Sequence, residues 1–154
     1  MLLLQLLFKL IIPILSINNV LKMQIIHTKI FNNIPLLKLH DTVILESFPM
    51  KDRISIDFVP VNFTFIDLLI GKNVTCKIRM YSVSNEFDID TITKKLDIEN
   101  NQHFKILSDV DKIKSCKLKK LAFQINKLNS TNYNLYKYNC KHFRKNVEFL
   151  FNEI

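Results

Sequence analysis

The sequence predicts an α+β domain in which a meander of antiparallel strands packs against a helix at the C-terminal end. Three observations carry this. Residues 24–61 alternate short β-branched, apolar runs with turn residues, the C-terminal third repeats apolar positions at threes and fours, and no Pro- or Gly-rich linker divides the chain. At 154 residues one core suffices, because a chain of this size buries roughly two thirds of its unfolded surface without disulfides or metal clusters.

Residues 1–22, MLLLQLLFKLIIPILSINNVLK, are the most hydrophobic stretch and are interrupted by Lys9 and Pro13. The segment lacks both a charged run ahead of the apolar one and a small-x-small cleavage site. It is also broken before the roughly 20 apolar residues that a spanning helix needs. An organelle or secretory leader, a membrane-associating helix and a helix packed on the domain all remain open. A targeting or anchoring segment is expected, with a single domain over 23–154. On that expectation the chain is membrane-associated through residues 1–22, secretory or organellar; otherwise it is cytoplasmic.

QIIHTKIF (24–31), LLKLHDTVILESF (36–48) and RISIDFVPV (53–61) read as strands, with PMKD supplying the turn between the last two. FTFIDLLIG (63–71) has the length of a short helix closed by Gly71, since a left-handed helix end favours glycine. KNVTCKIRMYSV (72–83) reads as another strand, DIDTITKKL (88–96) as a short helix, and NNQHFKILSD (100–109) as a loop entering a brief strand. From Val110 to Leu128 the apolar positions Ile113, Cys116, Leu118, Leu121, Ala122, Ile125 and Leu128 mark an amphipathic helix. NSTNYN is turn material, and the last helix begins near Cys140.

Composition excludes several chemistries. With one glycine in the chain there is no loop able to bring backbone close to a nucleotide phosphate. Cys76, Cys116 and Cys140 are odd in number and widely spaced, so neither a disulfide framework nor a zinc site is implied, and no cofactor is expected. The net charge of +8 leans towards the C-terminal third, notably KIKSCKLKK at 112–120. Without interleaved aromatics or a nucleic-acid module this reads as a solvated helix face, and a basic nucleic-acid binder would instead gather those charges on one exposed face. The sequons at Asn62, Asn73 and Asn129 are matches that an Asn-rich chain produces by chance.

In NCKHFRKNVEFLF, the residues Cys140, Phe143, Val147, Leu150 and Phe151 share one helical stripe, so Cys140 faces inward. His142, two residues on, falls on the other side and is a poor base for it. Asn139 is a favoured N-cap residue. It places Cys140 in the first turn, where the helix dipole stabilises a thiolate by at most about 2 kcal/mol and backbone N–H groups are available to an oxyanion. A cationic neighbour is therefore required. From periodicity alone, packing is the favoured account of an inward-facing cysteine, which is among the most buried residue types.

Tyr133-x-Leu135 followed by Asn139-Cys140-x-x-Phe143 and a basic amphipathic helix resembles the nucleophile segment of the circularly permuted papain-like thiol enzymes. The nearest branches are the PPPDE desumoylating isopeptidases and the lecithin–retinol acyltransferase-like proteins, which have NCEHF where this chain has NCKHF. The resemblance implies a permuted papain-like fold with the catalytic histidine on an early strand. LHDTVILE offers His40 there, about a hundred positions before Cys140. His27 is the fallback base, and His103 reads as a solvated loop residue. The chain departs from the isopeptidases in having no glycine-rich segment after the His40 strand, and from the acyltransferases in lacking their second histidine.

A third residue commonly orients such an imidazole, and Asp57 is the acidic candidate on the neighbouring strand. A hairpin folding about Met50 and Lys51 places Val61 opposite His40 and leaves Asp57 several residues away; only a turn nearer Phe48 pairs them. The expected function is a Cys-His thiol hydrolase or acyltransferase acting on an amide, isopeptide or ester of a protein or lipid substrate. The alternative is an inactive relative serving as a binding or scaffold module, with His40 and Cys140 far apart or sealed from solvent.

Overall fold

The computed structural model describes residues 20–28, 40–84, 104–128 and 132–154. Most of the hydrophobic leader, the 88–96 helix and His103 lie outside the described residues.

Among the described residues, five antiparallel strands form one sheet in chain order: β1 (Val20–Thr28), β2 (His40–Phe48), β3 (Arg53–Pro60), β4 (Cys76–Val83) and β5 (Phe104–Ile106). The sheet opens at Val20, three residues ahead of the boundary drawn from hydropathy. The helices are α1 (Phe65–Leu69), α2 (Cys116–Asn126) and α3 (Cys140–Asn152), and α2 and α3 pack against each other and on β2. None of the helices among the described residues is long and apolar enough to cross a membrane.

Alternation along the strands assigns the faces. Val43, Leu45, Ile54, Ile56, Phe58 and Met80 meet Leu118, Leu121, Ile125, Phe143 and Val147 in the main core. The intervening residues of β2 and β3, Thr42, Ser55 and Asp57 among them, are also largely buried although polar, so the central strands are covered on both faces. Phe58 anchors the C-terminal end: its ring stacks on Phe143 at 5.2 Å and on Tyr133 at 5.6 Å, and meets Tyr138 edge-on.

The β2–β3 turn decides the register. Ser47 and Asp52 close it: the Ser47 N–H donates to the Asp52 carbonyl, the Lys51 N–H donates back to Ser47 O, both at 2.9 Å, and Lys51 takes a left-handed φ of 56°. The ladder runs from Glu46 opposite Arg53 to Thr42 opposite Asp57. The turn therefore centres on Pro49 and Met50, one position earlier than the sequence implied, and each such step moves every cross-strand partner by two residues. Asp57 becomes a diagonal neighbour of His40, on the same side of the ribbon.

The 110–128 segment is less regular than its spacing predicts. Residues Val110–Lys112 form a 3-10 turn, and Ser115 then caps α2 with its hydroxyl accepting from the Leu118 N–H. Cys116 becomes the first residue of a shorter helix and is exposed, not part of the apolar stripe.

Gly71 closes the segment containing α1 with φ +71°. Its carbonyl accepts from Asn134 Nδ2 at 2.6 Å, tying α1 to the loop that leads into α3. A Cβ at this position meets Tyr136 Cδ2 at 2.8 Å. Gly71→Ala is expected to cost about 1–2 kcal/mol from the left-handed backbone alone, read as a lower urea midpoint with unchanged slope. An unchanged midpoint would show that the loop absorbs the side chain.

Candidate active site

Asn139 builds the entrance to α3. Its side-chain oxygen accepts from the Lys141 and His142 N–H groups, its Nδ2 donates to Leu135 O at 2.7 Å, and His142 completes a reciprocal cap on the Asn139 N–H. His142 is exposed and serves the helix terminus, in keeping with its place away from the Cys140 stripe. Cys140, Phe143 and Val147 are buried in the order the periodicity predicts.

His40 is the first residue of β2, just beyond the last β2–β3 pair at Thr42 and Asp57. There its imidazole makes two side-chain contacts, with Asp57 and with Cys140, bringing together residues a hundred positions apart in the chain. The first is a buried hydrogen bond of 3.1 Å between Nε2 and Asp57 Oδ2. Asp57 in turn accepts two hydrogen bonds from Arg79, which lies directly across on β4: Nε to Oδ1 at 2.8 Å and Nη2 to Oδ2 at 2.5 Å. This fork fixes the carboxylate in plane and neutralises it.

The result is a chain of side chains, buried Cys140, His40 and Asp57 and half-buried Arg79, drawn from α3, β2, β3 and β4. Burial works against charge on His40, but its hydrogen bonds to Asp57 and Cys140 and their negative charges outweigh it, raising the imidazole from 6.5 to about 9. Burial pushes Asp57 the other way and is overcome by Arg79 and His40, which hold its carboxyl below the usual carboxylate range. Cys140 itself is only 1 % exposed. A cleft of about 360 Å³ bounded by Met50, Arg53, Lys105 and Ile113 reaches none of the four residues.

Sequence reasoning missed two members of this neighbourhood. Arg79 had a signal, a cation in the middle of the KIRMYS strand, but only strand pairing identifies its partner. Asp41 is buried and faces the side of the sheet on which α3 packs, where it accepts from exposed His27 (Nδ1 to Oδ1, 2.7 Å) and pairs with Arg144 of α3. His27 is thus engaged by Asp41 on the edge strand, while His40 is the histidine placed against Cys140.

No family model, curated protein or solved structure matches the chain.

Proposed function

We propose that this protein is a Cys-His thiol hydrolase or acyltransferase with a permuted papain-like fold, in which His40 serves Cys140 and Asp57 orients His40. The observation that carries the reading is the contact between His40 and Cys140, backed by Asp57 and Arg79. The order of the parts supports the finer fold reading: histidine on an early strand, acid on the next, cysteine at the mouth of a late helix. Asp57 bonds Nε2, so Nδ1 is the nitrogen that would take the thiol proton.

In the reaction, the Cys140 proton passes to His40 and the sulfur adds to an amide, isopeptide or ester carbonyl carbon. The C=O π pair moves onto oxygen, then returns as the bond to the leaving group breaks, with His40 supplying the proton that the departing amine or alkoxide takes. Water or another nucleophile then gives its proton to His40 and adds to the thioester carbon; the C–S bond breaks, the acyl product leaves, and the sulfur takes the proton back from His40. A histidine raised to about 9 favours the imidazolium, and the Asp57 carboxylate stabilises it until the leaving group takes the proton.

The 1 % exposure of Cys140 supports a second reading, a binding or scaffold module that keeps the cluster as a polar core, since reactive cysteines are ordinarily partly accessible. Iodoacetamide labelling separates the two, with exposed Cys116 as an internal reference thiol. On the enzyme reading, Cys140 in the folded protein labels at near-neutral pH, and His40→Ala lowers that rate by roughly tenfold or more while Cys116 is unaffected. Labelling of Cys140 only on unfolding, unaltered by the substitution, would establish the module instead.

A further inference from the structure

One polar atom beside Cys140 has no role in the scheme above, the Tyr133 hydroxyl. Tyr133 is 0 % exposed, its ring lies against Phe58, and its backbone exchanges two hydrogen bonds of 2.9 Å with Val74. The side chain is thus held from both ends, yet the hydroxyl has no hydrogen-bond partner of good geometry. Leaving a buried hydroxyl unpaired costs about 1–3 kcal/mol, which makes such a group a candidate for binding an atom that arrives with a ligand. It lies beside both the thiol and the backbone amide of Cys140. Burial, and then the negative charge that Cys140 carries as a thiolate, push the phenol well above its ordinary value of 10.0. The group therefore remains a neutral donor throughout the working range.

We infer that the Tyr133 hydroxyl is an oxyanion donor, acting with the Cys140 N–H on the oxygen of an ester or amide carbonyl as the sulfur adds to its carbon. The inference rests on the acyl-transfer reading. As the C–S bond forms and the π pair moves onto oxygen, the O–H points at that oxygen without giving up its proton. When the pair returns and the leaving group departs, the hydrogen bond weakens again. The donor is fixed before substrate arrives, by Phe58 on one side and Val74 on the other, so no reorganisation is needed when charge develops.

Tyr133→Phe removes the oxygen and keeps the ring that packs on Phe58, so the fold is retained. Two reagents then read Cys140 differently. Iodoacetamide is attacked at a saturated carbon and forms no oxyanion, whereas p-nitrophenyl acetate passes through one. In the variant, alkylation is expected to stay within about twofold of wild type while acetylation of Cys140 falls on the order of a hundredfold to a thousandfold, the loss typical of an oxyanion donor. Acetylation as fast as wild type overturns the role of Tyr133 alone. A parallel fall in both reactions also overturns it, by placing the effect on the thiol. A wild-type protein that alkylates with dependence on His40 but is never acetylated overturns the acyl-transfer reading, and this inference with it.

Discussion

Asp57→Ala is expected to lower the unfolding free energy by about 3–5 kcal/mol at pH 6, the cost of removing one partner from a buried charged network. The carboxylate bonds both His40 and Arg79. Without it two cations face each other across β3, and the Arg79 side chain, 17 % exposed, reaches water only in part. Replacing both members, Asp57→Leu with Arg79→Leu, is expected to be milder than the single change, because apolar replacement of a whole pair avoids the stranded charge. Chemical unfolding in urea checks both. A loss below about 1 kcal/mol for Asp57→Ala would mean that solvent, not protein, balances the two cations.

The second large effect is on pH dependence. The folded-state value of His40, about 9, lies above the ordinary 6.5. Its contribution is fully present below pH 6.5 and is lost as pH rises through 9; the shift corresponds to about 3 kcal/mol. Asp57 is shifted the opposite way, so its contribution is present above its unfolded value and fades as pH falls through the lowered folded one. The two shifts share the His40–Asp57 bond and therefore do not simply add. Urea midpoints between pH 6 and 9.5 should decline in wild type and stay nearly level in His40→Gln. Equal slopes in the two proteins would show that the imidazole gains no proton affinity on folding.

Local features of this chain were legible in its sequence, because a cap or a stripe is written within one or two turns of helix. Asn139, the inward face of Cys140 and the left-handed Gly71 are of this kind. So is the exclusion of His142 from the thiol. Features set by register were not legible. Whether Asp57 reaches His40 depends on one residue of turn length, fixed by the closure between Ser47 and Asp52 and by a left-handed Lys51, a conformation that lysine does not advertise. Arg79 was hidden for the same reason, since its meaning depends on a β3–β4 pairing made across α1. Cys116 misled through its type: an apolar residue at helical spacing looked like core, but the Ser115 cap starts the helix there and leaves it outside.

Asp57 and Phe58 are consecutive on β3, one bonded to His40 and Arg79, the other stacked on Tyr133 and Phe143. A slip of β3 by one position exchanges them, driving a carboxylate among aromatic rings and a benzyl group between two cations. The error is penalised twice, on opposite sides of the sheet. Evolution can therefore lengthen or shorten this strand only in steps that preserve its parity, and an insertion tolerated elsewhere in the meander would here dismantle the hydrophobic core and the histidine's support together.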